Sequence, residues 1–552
     1  MKYIVMTLSF LLVAQVGVAQ KDWVREGVED TEFVIEKERE NTLPPANRNY
    51  EKISYSPKPA NRSRLTYDLQ TLDPYQVADV KIDVSPQAVR LPRSDVPLGN
   101  YARLGFGNYT TPYADIYLGS EKNEAYQYYA HYHHLSSRTG EVADENSGNA
   151  RHRLHLGGTY FADNFAIEGK AAYRRDRYFF YGYDPNLIEI NDNDSIRQVL
   201  NDFEIEGVIR STDAESPLQF EVGAGYATIS DDALTTERQF KIPAQIRYRL
   251  NEQSRLEASF AAYLMRRTDS SEINRNFISL QPRYFFNTDR FQVEIGLNTV
   301  YEDDTVSNTN NVHLYPHLEV GYRLFYDIVL FGGITGDMER TSYRQYIREN
   351  PFLAPEINLI HSNKQFALYG GIRGNLTPQL NVEAQVTYST YENLYFYLND
   401  LQDSTRFTVV YNDQSTRLFS LKAAAYYEVN ERLRTSLQAE FLGYTFEDDV
   451  QEAAWHRPNF QAHLLGSYQL LEELSFTANL FLIDGIEALQ VSDGTQVSLD
   501  PLFDLSLQAD YWFSEKFSAF LSANNLTSNS YQRYLNYPVR GFNFLVGLTY
   551  AF

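Results

Sequence analysis

The last stretch of the chain, residues 541–552, alternates between large apolar residues and small or polar ones. One face of this two-residue period is continuously apolar, with Phe542, Phe544, Val546, Leu548, Tyr550 and Phe552. The other face is small or polar except for Leu545. A strand of this kind that ends the chain on an aromatic residue is typical of a transmembrane barrel, and Tyr550 and Phe552 are the predicted membrane-insertion signal. The alternative is the last strand of a soluble antiparallel sheet.

The same alternation recurs upstream, over residues 165–173, 218–226, 433–441, 474–482 and 503–511. The polar face of these segments carries carboxylates and amides at mid-strand, as a water-filled or polar-plugged lumen requires. Short polar turns alternate with longer polar loops, and counting the strands between them gives about 22. The predicted fold class is therefore all-β: a transmembrane antiparallel β-barrel of about 22 strands over residues 99–552, with both barrel ends on the periplasmic side.

The region before the barrel has a different composition. Residues 1–19 combine Lys2, an apolar stretch and small residues up to Ala19, which predicts a secretory signal peptide; a single membrane anchor is the alternative. Residues 20–98 are rich in proline and charge without a persistent period, which predicts an extended periplasmic arm or a reduced gate. A secreted chain of alternating strands without cysteine indicates the outer membrane of a Gram-negative bacterium.

Composition narrows the function classes further. Mean hydropathy is -0.44, and beyond the first residues no apolar run approaches the length of a transmembrane helix. Aromatic residues make up 14%, which suits the girdles at two membrane interfaces. The absence of cysteine excludes disulfides and thiolate metal sites, and the net charge of -23 argues against a nucleic-acid partner.

The carboxyl-terminal segment resembles that of TonB-dependent receptors in the motifs 524–527, Tyr531, 537–538, 540–541, 543–544 and terminal Phe552. The first hairpin, 105–112, is similar to receptor relatives from Bacteroidota with reduced amino-terminal regions. The resemblance implies a 22-stranded outer-membrane transporter. Receptors of this family also carry a plug domain, for which residues 20–98 are too short and too rich in proline. A segment that TonB pulls as an added strand precedes that plug, and its candidate here is Glu32, Phe33, Val34 and Ile35.

One pair of residues suggests catalysis. His134 and Ser136 share the face expected towards lipid, and a histidine two residues before a serine resembles the arrangement in outer-membrane phospholipase A. The alternative is a pair of polar residues at an interfacial strand end. His131 and His133 share the other face but have no third ligand, so no metal site is predicted, and neither a cofactor nor an enzymatic function is expected.

Arginines gather at the predicted outer ends of strands and in one long loop. Planar guanidinium groups suit phosphate, so these arginines predict either lateral binding of lipopolysaccharide phosphates or an anionic-ligand vestibule closed by the loop 342–363. The candidate residues are Arg174, Arg175, Arg177, Arg266, Arg267, Arg344 and Arg348, with Arg151, Arg153 and Arg340 nearby in the same pattern.

The leading functional prediction is a receptor-like, porin-like barrel that transports a solute across the outer membrane. A lumen this wide needs closure, by the arm, by inward-folded loops or by a partner lipoprotein. The alternatives are a non-transporting β-barrel subunit of an outer-membrane assembly or export complex, and an outer-membrane lipid esterase. Candidate partners are outer-membrane lipid and lipopolysaccharide, TonB, a periplasmic or surface lipoprotein, and an outer-membrane assembly complex.

Overall fold

A computed structural model describes residues 99–552, except 121–124, 305–308, 326, 413, 431, 448–451 and 492. The predicted signal peptide, the arm and the segment Glu32 to Ile35 lie outside the described residues. Among the described residues, no helix is long and apolar enough to cross a membrane.

The described chain forms a closed antiparallel barrel of 22 strands, which confirms the predicted fold class. Its strands are β1 (Tyr101–Gly107), β2 (Thr111–Gly119), β3 (Tyr126–Ser137), β4 (Asn149–Phe161), β5 (Phe165–Phe179), β6 (Arg197–Ser211), β7 (Leu218–Ser230), β8 (Thr236–Arg249), β9 (Ser254–Thr268), β10 (Glu272–Asn287), β11 (Phe291–Asp304), β12 (Thr309–Phe325), β13 (Ile328–Glu339), β14 (Ser362–Thr377), β15 (Leu380–Glu392), β18 (Thr416–Asn430), β19 (Leu433–Phe446), β20 (Phe460–Gln469), β21 (Leu474–Asp484), β24 (Leu502–Trp512), β25 (Phe517–Asn524) and β28 (Asn543–Ala551). Three hairpins lie within the loops: β16 (Tyr395–Asn399) with β17 (Phe407–Tyr411), β22 (Glu487–Gln490) with β23 (Thr495–Ser498), and β26 (Gln532–Tyr534) with β27 (Tyr537–Pro538). One α-helix, α1 (Tyr343–Glu349), and two 3-10 turns (Asp144–Ser147 and Asn193–Ile196) complete the described elements.

The two faces of each strand divide as the alternation predicts. In β28, Val546 and Leu548 are 51% and 63% exposed on the outside of the barrel, whereas Leu545 is 3% exposed on the inside. A pleated strand places successive side chains on opposite faces, so the apolar residues form the outer surface and the polar ones line the lumen. The continuously apolar outer surface explains why so many large side chains remain exposed in this fold.

The barrel has two unlike ends. At the short-turn end the strands are joined by tight turns such as 162–164 and 250–253, and the Phe552 amide donates to the Asn100 carbonyl at 2.9 Å, so the start and the end of the barrel meet there. The loop end carries every long connection of the described barrel, which confirms the predicted alternation of short turns and long loops. Its loops are 138–148, 180–196, 340–361, 393–415, 447–459, 485–501 and 525–542.

The seam that closes the barrel joins β1 to β28 over seven residue pairs, with Gly105 directly opposite Gly547. A Cβ added to Gly547 would lie 2.1 Å from the Leu104 carbonyl oxygen and 2.5 Å from the Phe520 ring. Phe520 is buried on the inner side, and the Arg103 guanidinium lies 3.8 Å from the centre of its ring. The glycine pair therefore forms a notch that receives an aromatic ring from β25.

Candidate functional site: a loop cap over one mouth

Four of the long loops share a buried aromatic core, and a fifth contacts it through the ring of His456, 5.1 Å from that of Phe407. We call this structure the loop cap (the described residues of 180–196, 340–361, 393–415, 447–459 and 525–542). The ring of Phe352 stacks on that of Tyr537 with 3.6 Å between centroids and meets Tyr181 edge to face at 5.9 Å. Tyr346 and Phe407 are completely buried in the same core. Burial of large rings is a major stabilising contribution, and here it connects loops that lie far apart in the sequence.

The helix of the loop cap is held by the barrel wall at its amino terminus. Ser342 is the N-cap residue, and its hydroxyl accepts a hydrogen bond from the Gln345 amide at 3.1 Å. The carboxylate of Glu237, which points inward from β8, accepts bonds from the amides of Tyr343 and Arg344 at 2.8 and 3.1 Å. A carboxylate at the free amides of a helix start is favourable both as acceptor and as anion, so Glu237 orients α1 in the lumen.

Two arginines on α1 bind carboxylates of the inner wall. Arg344 Nε lies 2.8 Å from Asp202 Oδ1 and its Nη2 lies 2.7 Å from Glu204 Oε2, both on β6. Arg348 Nε donates to Asp202 at 2.8 Å. Residues four apart lie on one face of a helix, so the spacing of the two arginines turns both towards β6. These ion pairs place the helix on the inner side of the wall.

The opposite flank of the helical loop is fixed to β10 and β11. Arg275 donates to Asp304 at 2.7 Å and to the Thr341 carbonyl at 2.9 Å, and its side chain is 3% exposed. The Thr341 amide donates to Nδ1 of His361 at 3.0 Å. Burial, together with the positive charges of Arg275 and Arg340, holds the pKa of His361 well below its usual value. A neutral His361 keeps the ring nitrogen available as an acceptor.

His456 joins two further loops of the cap. Its Nδ1 donates to the Tyr397 carbonyl at 2.8 Å, and its Nε2 accepts from the Leu535 amide at 3.3 Å. The residue is buried, and desolvation lowers its pKa to about 4. The imidazole therefore acts as a neutral donor and acceptor that links loops 393–415 and 525–542.

A cavity of about 60 Å³ lies between the loop cap and the inner wall of β4 and β5. Its polar lining includes Arg151, Arg174 and Asp176 from the wall and Arg348 and Arg540 from the loops. Such a volume has room for a few water molecules or a small ion. The lining is largely apolar by area, and its charged groups are five arginines, Arg177 included, against the carboxylates of Glu141 and Asp176.

The arginines predicted from the sequence do not form one site, because the barrel wall divides them. Arg174 and Arg267 point inward, whereas Arg175 and Arg266 have the outward parity of their strands. Arg177 shares that outward parity and, at the end of β5, also borders the cavity. Arg344 and Arg348 lie on α1, and Arg267 Nη1 donates to the Ile357 carbonyl of the same loop at 2.6 Å.

The predicted catalytic pair lies on the outer surface of β3, on the face expected towards lipid. Ser136 Oγ and His134 Nε2 are 3.1 Å apart. His134 Nδ1 lies 3.2 Å from Nδ1 of His152 on β4, which in turn contacts the Tyr132 hydroxyl at 3.1 Å. His152 occupies the place where a hydrolase would have an orienting carboxylate. It lies directly opposite His134 in the strand register, which the sequence alone did not predict.

No metal centre accompanies these residues. Within the part of the chain that the structure describes, no group of three or more His, Cys, Asp or Glu side chains is placed to hold a metal ion. The wall residues that anchor the loop cap, among them Glu237, Asp202 and Arg275, were not singled out by the sequence pattern, because an inward polar residue near a strand end looks the same whether or not a loop contacts it.

Comparison with known proteins gives a likeness of fold. No family model and no curated protein sequence matches the chain. Among solved structures, the siderophore receptor PiuA from Acinetobacter baumannii is similar with a TM-score of 0.63 and 10% identity over 82% of each chain. The FrpB iron transporter from Neisseria meningitidis is similar with a TM-score of 0.64 and 11% identity over 82% of this chain and 81% of its own. The copper transporter OprC is similar with a TM-score of 0.60 and 12% identity over 82% of this chain and 81% of its own.

Proposed function

We propose that this chain is an outer-membrane transport barrel similar to TonB-dependent receptors, of the Bacteroidota type without a plug domain, and that its loop cap closes the outer mouth. The observation that carries the proposal is the burial of inward wall residues beneath loops that have their own aromatic core. A polar inner face suits passage of a solute, and a lumen of 22 strands needs such closure.

The likeness to solved structures supports transport in particular. The similar proteins are named as a siderophore receptor, an iron transporter and a copper transporter. In this proposal residues 1–19 are the signal peptide and residues 20–98 are a periplasmic arm that serves as a reduced gate. Glu32, Phe33, Val34 and Ile35 are the segment that TonB would take up as an added strand.

The outward-facing arginines have a separate role in the proposal. Arg175 lies directly opposite His152 on the outer surface at the loop end, and Arg266 lies opposite Arg238 on another sector. Guanidinium groups on the outer surface near the loop end suit the phosphates of lipopolysaccharide. Arg177 lies next to Arg175 on the same face of its strand. Tyr550 and Phe552 remain the proposed insertion signal at the short-turn end.

Conductance across a planar bilayer tests the transport proposal. We expect the purified full chain to be closed for most of the time, because the loop cap fills one mouth. Replacement of residues 342–359 by a short Gly-Ser linker removes α1 and its contacts with the wall anchors and should produce large, stable conductance steps. The matched control replaces the exposed turn 212–216 at the short-turn end and should leave the barrel closed. A closed barrel after removal of α1 would contradict the assignment of the loop cap as the closure.

A non-transporting subunit of an outer-membrane assembly is the second candidate. The size of the aromatic core favours it, because a cap held so firmly also suits a permanently closed scaffold. A pull-down of the tagged chain in mild detergent separates the two. Recovery of TonB or a surface lipoprotein supports transport, whereas recovery of barrel-insertion or lipopolysaccharide-export machinery supports the scaffold.

A further inference from the structure

The cavity beneath the loop cap has an excess of positive charge in its lining. Arginines come from three separate elements: Arg151 and Arg174 from the inner wall, Arg348 from α1, and Arg540 from the loop after β27. Arg177 and the carboxylates of Glu141 and Asp176 also line the cavity. Convergence of guanidinium groups from three elements on one small space is costly without an anion, because each charge repels the others at low dielectric.

The inner wall adds a like-charge pair at the same place. Arg174 lies directly opposite Arg153 in the register of β4 and β5, and both point inward. Like charges at directly opposed strand positions destabilise a sheet. The neighbouring inward pair, Arg151 and Asp176, is of opposite charge. The wall thus carries a destabilising pair beside the cavity.

The nearby carboxylates are already engaged. Asp176 contacts both Arg174 and, at 3.7 Å, Arg151. Asp202 takes part in ion pairs with both arginines of α1, Arg344 and Arg348. Each of these two carboxylates therefore serves two guanidinium groups. Glu141 accepts from the Ser530 hydroxyl and the Gly541 amide, and the five arginines of the lining outnumber its two carboxylates.

The two loop arginines, Arg348 and Arg540, are both desolvated at the cavity. Burial lowers the pKa of Arg348, and the charges of Arg344 and Arg174 lower it further, although Asp202 opposes them. Burial also lowers the pKa of Arg540, whose Nε is buried without a hydrogen-bond partner. Its Nη2 donates to the Ser147 carbonyl at 3.4 Å, at the long limit of a hydrogen bond. Both groups would gain from an anion in the cavity.

We propose that the cavity between the loop cap and strands β4 and β5 binds the oxyanion group of a small solute, a phosphate or a carboxylate, through Arg151, Arg174, Arg348 and Arg540. This inference rests on the proposed transport function for its meaning, since it names the class of solute that the barrel recognises. The site lies on the lumen side of the wall, so its ligand is a solute rather than a membrane lipid. The outward Arg175 is on the same strand but is separated from the cavity by the wall.

The test measures binding of inorganic phosphate and of citrate to the full chain in detergent, by thermal shift at constant ionic strength against chloride. We expect a saturable stabilisation by at least one of the two anions. R174Q and R540Q should each weaken the apparent affinity about tenfold or more, because a charge-assisted bond to the anion is lost. R175Q is the matched control, with the same change one residue away on the outer face, and should bind like the unmodified chain.

Two results would overturn the inference. One is stabilisation by phosphate and citrate no greater than by chloride. The other is an equal loss in R175Q and R174Q, which would mean a general effect of net charge. Heat-modifiable migration in gels confirms that each variant has a folded barrel. If the anions do not bind but removal of α1 produces conductance, the proposed transport function stands and the proposed solute class is wrong. If the anions bind but no conductance appears, the barrel has a ligand site and the proposed transport function is wrong.

Discussion

The inner wall of the barrel is chemically alike at its two ends but differs in exposure. At the loop end the inward side chains of Asp202 and Arg275 are each 3% exposed. At the short-turn end the inward side chains of Arg247 and Arg434 are each 46% exposed. Polar residues alternate with apolar ones along the whole of each strand, so the wall itself does not explain the difference. The difference in exposure is a property of the loops, to which the wall contributes anchors.

The largest expected effect is a difference in chemical accessibility between the ends. The chain has no cysteine, so single substitutions give clean probes. We expect a maleimide to label R434C on the order of a hundredfold faster than Q239C, because access to the latter needs local opening of the loop cap. Replacement of residues 342–359 should bring the two rates close together. Equal rates in the unmodified chain would mean that the loop cap does not cover the wall.

Acid should weaken the loop cap selectively through His456. Its pKa in the fold is about 4, against an ordinary value of 6.5, so between these pH values the unfolded loops bind a proton that the folded loops exclude. The contribution of His456 to the free energy of unfolding of the loop cap is fully present above pH 6.5. It falls as the pH falls towards 4, by about 3 kcal/mol in total.

Hydrogen exchange of residues 525–542 measures this loss, since the Leu535 amide depends on the neutral ring. The quantity to compare is the protection factor, the exchange rate of the unstructured peptide divided by the observed rate at the same pH. H456Q should have lower protection at pH 7 and a much flatter dependence of protection on pH. The turn at 250–253, far from the loop cap, serves as the internal control and should keep the same protection factor at neutral and at acid pH. An unchanged pH dependence in H456Q would assign the effect to other groups.

Loss of the carboxylate at the start of α1 should have a moderate effect. E237Q replaces an anion that accepts from two helix amides, and we expect it to destabilise the helical loop by about 1–2 kcal/mol. Denaturation monitored by proteolysis of residues 340–361 gives the value. E428Q alters an exposed inward carboxylate at the short-turn end and should cost less than about 0.5 kcal/mol. Equal destabilisation by E237Q and E428Q would mean that Glu237 does not anchor the helical loop.

The smallest expected effect concerns the outer surface. S136A should leave lipid hydrolysis by the purified chain at background, because His134 contacts a second histidine instead of an orienting carboxylate. The assay uses phospholipid vesicles, with T111A, which removes a hydroxyl on the inner face, as the matched control. Hydrolysis that disappears in S136A and persists in T111A would restore the esterase alternative.

Much of the barrel was predictable because it depends on a period of two. The outward row from Phe542 to Phe552 and the single inward Leu545 follow from sequence alone, and so does the approximate strand count. The same alternation places Arg174 and Arg175 on opposite faces of β5. The sequence prediction treats them as one group because both lie near the outer end of the strand.

The loop cap was not predictable in the same way. Tyr346, Phe352 and Tyr537 lie in irregular segments, where no period indicates which rings will meet. Only the spacing of Arg344 and Arg348 carried a local signal, that of one helix face. Partners such as Asp202 and Glu237 come from strands more than a hundred residues away, so the contacts depend on barrel closure.

The glycine notch at the seam has a consequence for assembly. On the outer surface a slip of β28 by two residues would again place apolar side chains against lipid, so the exterior cannot distinguish the right closure from its neighbours. Inside, the slip that brings Arg103 instead of Gly105 opposite Gly547 would drive a side chain into the space of the Phe520 ring. The register of the last strand is thus selected on the lumen side, where a steric clash disfavours an alignment that would be equally stable against lipid.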